Sequence, residues 1–296
     1  MNLQKERKAL SRQPAKRQSM TVMTLRRMKK NKMAMVGLII LTFIMLVAIF
    51  GPLIAPYSYT ETDLLHTYGL PSLLHPFGTD ELGRDILSRM IIGSRASLSI
   101  GFVSMAGASV IGIMFGSICG YFGGKVDTVI MRFMDILQAL PPLIMAITIC
   151  AALGPGLNNC IVAITISNIP SFVRMTRASV LNIRRMEYLE AATAINCSTS
   201  RIIVKHILPN ALSPLIVQLT MGIATSIISA SAMSFLGLGV QPPDAEWGAM
   251  LSAGRSYIRN YPHMVTFAGV TIMITVLSLN MLGDGLRDAL DPKLKN

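Results

Sequence analysis

Five stretches of this chain contain no Asp, Glu, Lys or Arg: residues 33–60, 96–124, 136–173, 207–243 and 260–283. A hydrocarbon core about 30 Å thick needs roughly 20 helical residues to cross, and a charged side chain at its centre costs about 2.5–3.5 kcal/mol. Uncharged runs of this length are what spanning helices demand. A soluble surface demands the opposite, charge spread along every exposed element. With 52% of its 296 residues hydrophobic and 14% charged, against about 25% charged in soluble domains, the chain is predicted to be all-α, a polytopic membrane helix bundle.

Residues 136–173 are long enough for two spans and carry the breakers LGPGLNN at 153–159, so five gaps become six helices. The predicted spans are about 34–54, 97–121, 132–153, 158–173, 211–236 and 264–283, the fourth being short and containing Pro170. A basic leader at 1–32 precedes a transmembrane domain at 33–296, which includes outer segments at 57–96 and 237–262 and an inner loop at 184–209. With the amino terminus in the cytoplasm, 22 of the 27 Lys and Arg fall on that side, and Arg84, Arg89, Arg95, Arg255 and Arg259 fall on the other. That bias places both termini inside. The leader has no small-residue cleavage site and too many charges for a signal peptide, so the first apolar run is expected to remain as a helix. Its basic residues suit anionic lipid better than nucleic acid. The four Cys and four His show no paired or ligand spacing, so neither a disulfide framework nor a metal site is expected.

Within the second span, Gly112, Gly116 and Gly120 recur four apart on one helical face. Each interior Gly costs roughly 1 kcal/mol of helix propensity, and close packing by a neighbouring helix is the compensation expected. In RFMDILQALPP, Asp135 lies three residues after Arg132, a spacing that lets the two pair. Pro141 and Pro142 then interrupt the helix. A broken, partly polar helix suits a pathway lining as well as it suits an ordinary kink. Asp135, Gln138, Asn168, Gln218 and Asn280 are the candidate lining residues.

On the outer side, HPFGTDELGRDILSRMIIGSRASL reads as a helix capped by Thr79 and Asp80 and lying flat on the surface, with Ile86, Leu87, Met90 and Ile91 as its apolar stripe. Asp80, Glu81, Arg84 and Asp85, with Glu246 and Trp247 from the second outer segment, are candidate contacts for an external partner. Acids at a helix start serve the helix dipole more often than catalysis, and no residue is assigned a catalytic role.

The inner loop holds EYLEAATAINCSTSRIIVKHILPN, from Glu187 to Asn210. Its alanine-rich helix, turn and Ser/Thr-started second helix have the outline of a DNA-reading helix-turn-helix. Tethering at both ends by spans would confine such a reader to the bilayer surface, so a docking element for a cytoplasmic protein is the better physical reading. The first helix, about 186–195, would place Tyr188, Ala191, Ala192 and Ile195 on one face, with the alanines small enough for another surface to come close. A membrane-bound regulator is the rival class. An intramembrane enzyme is a third, for which no catalytic constellation is visible.

The same stretch resembles the EAA loop of ABC-importer permeases. It has Glu190, Ala191 and Ala192, three residues, Asn196 where the family pattern has Gly, then His206, Ile207, Leu208 and Pro209 where the pattern has Ile-x-Leu-Pro. A Gly there suits a helix end at positive φ, and Asn is the next most tolerant residue. Likeness to the dipeptide/oligopeptide/nickel branch extends through HPFGTDELGRDILSRMIIGSRASLSIG, MRFMDILQALPPL, SFLGLGVQPPDAEWGAML and GDGLRDALDPKL. The resemblance implies a permease in a prokaryotic cell membrane, paired with a homologous second permease, two ATPase subunits below and an extracytoplasmic solute-binding protein above. It implies coupling to the ATPase through Glu190, Ala191, Ala192 and Asn196, and short peptides as cargo, with nickel or a metallophore as the alternative. The chain has no G-x-x-x-x-G-K-[ST] phosphate loop. ATP and Mg are therefore expected in the partner ATPases, and no cofactor in this chain.

Overall fold

The computed structural model describes residues 20–290; residues 1–19 of the basic leader and the closing residues 291–296 lie outside the described residues. The helices are α1 (Met20–Lys30), α2 (Lys32–Ile54), α3 (Ile86–Phe122), α4 (Gly124–Leu137), α5 (Pro142–Leu153), α6 (Leu157–Arg184), α7 (Glu187–Ala194), α8 (Thr199–Phe235), α9 (Trp247–Gly254) and α10 (His263–Leu290). We call the end of the bundle that carries α7 the inner end.

α2 begins where the Asn31 side chain accepts the Ala34 N–H, an N-cap that satisfies one orphan donor. Its buried positions Ala34, Gly37, Leu41, Ile44, Ala48 and Gly51 follow helical spacing along one face. Small residues let α10 approach there: a Cβ on Gly37 would lie 2.6 Å from the Ser278 carbonyl oxygen. The opposite face, with Ile39, Phe43, Ile49 and Leu53, is exposed.

α3 runs for 37 residues, about 55 Å, without a break. The segment expected to lie flat on the outer surface is instead the upright first part of this helix. Asp85 makes its cap, accepting the Ser88 N–H at 2.7 Å, not Thr79 or Asp80. The expected apolar stripe finds protein and not lipid: Ile86 and Met90 pack against Met250, Met264 and Ala268 of α9 and α10. Farther in, the glycine face meets α6, where a Cβ on Gly116 would stand 2.6 Å from the Val173 oxygen and one on Gly120 2.7 Å from the Val180 Cβ. The repeat is a packing seam.

Among the described residues α2, α3, α8 and α10 are long and apolar enough to cross a membrane, and α4 with α5, bent by 79°, meet the same test together, as a broken span or a re-entrant pair. α6, with 28 residues, has ample length at about 42 Å but less apolar character. Its position explains this, for Cys160, Ala163, Ile164, Phe172, Val173 and Val180 are buried against other helices, so lipid dictates little of its composition. Pro170 sits within it without ending it, and the helix continues past 173 to Arg184. A central cluster joins Leu41 and Ile44, Leu98 and Met105, Phe172 and Val173, Ile223 and Ile227, and Leu279, so α2, α3, α6, α8 and α10 share one core.

Candidate coupling surface

α7 is short, but it is seated firmly. Leu189 and Ala192 are buried, and Leu189 packs with Val180 and Ile183 of α6 and Ile202 and Ile207 of α8. Glu190 and Ala191 point away from this seat and are exposed, and Ile195 is 80% exposed. The face expected from sequence therefore splits. Tyr188, Ala191 and Ile195 are presented outward, while Ala192 turns inward, because Leu189 three residues earlier fixes which side of the helix is anchored. Glu187 and Glu190 occupy the first turn, where negative charge complements the helix dipole.

Asn196 ends the helix at φ +57°. Its N–H bonds to the Thr193 oxygen at 2.9 Å, and the Cys197 N–H bonds to the Ala192 oxygen at 3.1 Å. These two bonds form a Schellman motif with Asn196 in the left-handed position. Beyond the turn, Ile202–Ile207 adopts π geometry, with the Leu208 N–H bonded to the Ile203 oxygen. Pro209 has no N–H to give the preceding turn, and the widened register precedes it directly. Asn210 Nδ2 then bonds to the His206 oxygen at 2.7 Å and to the Tyr188 hydroxyl at 3.2 Å, tying α7 to the start of α8. Beside α7 lies an open cavity of about 630 Å³ lined by Tyr121, Phe122, Arg184, Glu190 and Thr193, among others. The Arg184 guanidinium stands 5.7 Å from the centre of the Tyr121 ring, a cation–π distance.

The five candidate lining residues do not converge on one surface. Asp135 pairs with Arg174 of α6 at 2.6 Å rather than with Arg132, and Asp127, two turns earlier on α4, takes Arg177 of α6 through both carboxylate oxygens. Gln138 lies at the break between α4 and α5, its Oε1 buried without a partner. Asn168 turns back on its own helix to the Ile164 oxygen at 2.8 Å. Gln218 lines an open cavity of about 430 Å³ with Met175, Ser213, Met221 and Arg287, and Asn280 is exposed on α10.

Most of the candidate outer contacts turn inward. Asp80 takes Arg84 Nε at 2.7 Å and the N–H groups of Leu82 and Arg84, and Arg89 reaches the same carboxylate at 3.6 Å. Asp85 accepts from Ser88 and meets His75 Nδ1 at 2.9 Å. Asp80, Arg84 and Asp85 are buried, as are Glu246 and Trp247, each 1% exposed. Only Glu81 keeps a partly exposed side chain among the six. Glu246 caps α9, accepting the Gly248 and Ala249 N–H groups and the Ser97 hydroxyl of α3, while Trp247 donates its indole N–H to the Met90 oxygen. These residues fix α9 to α3.

The structure is a helical membrane bundle that carries a short, exposed helix seated between two long helices at one end. The family described as binding-protein-dependent transport system inner membrane component matches residues 112–296, and the N-terminal TM domain of oligopeptide transport permease C matches residues 19–76. The chain belongs to this family of ABC-importer permeases and is a multi-pass protein of the bacterial inner membrane. It is 49% identical to the dipeptide transport system permease protein DppC of Alkalihalophilus pseudofirmus, covering 92% of this chain and 89% of that one. It is 44% identical to the glutathione transport system permease protein GsiD of Escherichia coli O157:H7, covering 91% and 89%. The inward-facing MetNI methionine ABC transporter shares the fold, with a TM-score of 0.58 at 21% identity over 70% of this chain and 98% of that one. Members of such importers work with ATPase and binding-protein partners.

Proposed function

We propose that this chain forms half of a translocation pathway for short peptides and receives the work of ATP hydrolysis through α7. Relatives named for dipeptides, for glutathione and for oligopeptides support the cargo class. The seating of α7 carries the coupling: Leu189 and Ala192 fasten one side to α6 and α8, which leaves Glu190, Ala191 and Ile195 as a firm outward surface. A helix so held moves with the two spans that flank it, so closure of a pair of ATPases against it can switch the bundle between two states of access.

In this reading Ala191 permits close approach of the ATPase, Glu190 pairs with a basic or amide group there, and Asn196 and Ala192 hold the helix in its seat. The chain itself is non-catalytic, and ATP and Mg are held by two partner ATPase subunits. A homologous second permease completes the pathway, and an extracytoplasmic binding protein delivers the peptide. The test is a reconstituted complex carrying Glu190→Arg or Ala191→Arg. Transport and binding-protein-stimulated ATP hydrolysis should fall at least about tenfold, as expected for loss of a 1.4 kcal/mol contact, while the complex still melts at its usual temperature. Full stimulation in both variants would remove α7 from the coupling path.

A further inference from the structure

The open cavity of about 430 Å³ between α6, α8 and α10 falls within the roughly 300–1,000 Å³ of small-molecule sites. Most of its wall is apolar, with Met175 of α6, Val217 and Met221 of α8 and Leu290 of α10. Its polar side chains are Ser213 and Gln218 of α8 and Arg287 of α10. None of these three makes a side-chain hydrogen bond or ion pair among the described residues. Hydroxyls nearby behave differently: Thr220 turns back to the Ile216 oxygen at 2.9 Å, and Ser278 to the Ile274 oxygen at 2.7 Å. The acids closest to Arg287 in sequence do not neutralise it either. Asp288 meets Asn31 at 3.4 Å, and Asp284 is exposed and forms no ion pair among the described residues.

These groups define a ligand by its chemistry. A free guanidinium at the edge of an apolar cavity matches a carboxylate, which accepts two parallel N–H bonds from the fork. Ser213 and Gln218 offer donors and acceptors for amide and ammonium groups. The two methionines are unbranched and adapt to side chains of different shape. One constant carboxylate, a few amide groups and a variable apolar body describe a short peptide. An anionic lipid shares the charge, but its acyl chain would leave Ser213 and Gln218 without partners.

We infer that the cavity between α6, α8 and α10 binds the carboxyl end of a peptide, with Arg287 holding the carboxylate and Met175, Val217 and Met221 receiving the side chains. Arg287 reads what all peptides share, and the methionines tolerate what differs among them. α6 and α8 also form the seat of α7, so the bound peptide and α7 rest on the same two helices. This inference rests on the peptide reading above, and its test separates the two.

In the complete transporter, held in phosphatidylcholine nanodiscs, Cys197→Ser removes the one thiol that is not buried, and Ser213→Cys places a thiol in the cavity wall. The dipeptide Ala-Phe in excess should slow labelling of that thiol by a water-soluble maleimide, and the C-terminal amide of Ala-Phe should not. Arg287→Gln in the same background should raise the half-protecting concentration of Ala-Phe at least about tenfold, the effect of losing a hydrogen bond to a charged group. Arg287→Lys, which keeps the charge but not the fork, should raise it less. Equal protection by the acid and the amide, or unchanged protection in Arg287→Gln, would overturn the assignment. So would protection by phosphatidylglycerol in the disc with none from the dipeptide, which would make the occupant a lipid. If the unaltered complex in proteoliposomes moves no short peptide, the peptide reading falls and this site with it. If peptides are moved and the thiol at 213 stays unprotected, this site alone is wrong.

Discussion

Asn196 is the residue whose local chemistry most directly sets the shape of the inner loop. At φ +57° a side chain with a Cβ is strained by about 1–2 kcal/mol, and Asn tolerates the position better than most because its amide bonds locally. Asn196→Gly should therefore preserve the turn and the transport rate. Asn196→Val should loosen the end of α7, raising amide exchange between Ala192 and Cys197 about tenfold for each 1.4 kcal/mol lost. Glu246 is the counterpart at the outer end, with three donors converging on a buried carboxylate. Glu246→Ala should cost about 1–3 kcal/mol, through the lost cap and the donors left unsatisfied. Glu246→Gln, which keeps an acceptor oxygen, should cost less in a thermal melt of the purified complex. The turn at Asn196 could be read from sequence because a left-handed position narrows the residue types. The burial of Glu246 could not, since nothing local to it shows that Ser97 lies opposite.

Among elements, the α3–α6 pair depends on an absence of side chains. A Cβ at Gly116 would meet the Val173 oxygen at 2.6 Å, and a backbone atom cannot step aside as a flexible side chain can. Gly116→Leu is expected to separate the helices and abolish accumulation of folded protein. Gly269 of α10 offers the contrast, since its nearest neighbour would be Leu251 Cδ2 at 3.7 Å. Gly269→Ala should be accommodated and gain up to about 1 kcal/mol of helix propensity, seen as a raised melting temperature. The spacing of Gly112, Gly116 and Gly120 announced a close neighbour, yet it carried no information on which helix that would be. The expected Arg132–Asp135 pair failed for a related reason: intrahelical spacing allows the contact, but α6 presents Arg174 and Arg177 to the same carboxylate side of α4.

At the scale of the whole molecule, α7 meets the bundle through the two long helices that flank it. Its apolar seat draws on α6 and α8 together, so a displacement of α7 reaches both. Ala192→Phe should overfill that seat and cost about 1–3 kcal/mol, lowering stimulated ATP hydrolysis even though residue 192 faces away from any ATPase. Rescue by a smaller residue at Leu189 would show that packing within the seat is responsible. Hydropathy and charge along the chain were enough to determine the all-helical membrane bundle, while the likeness carried by Glu190 to Ala192 lay in residue identities at a fixed spacing. These properties belong to consecutive residues and to a solvent that tolerates no unpaired charge. The tertiary structure alone decided that α3 runs unbroken from the outer segment, that Glu246 and Trp247 are buried, and that α4 leaves Val129, Phe133 and Ile136 exposed. Each of those depends on how a helix is rotated about its axis and on which neighbour fills its groove, and partners at that distance in the chain are chosen only when the helices pack.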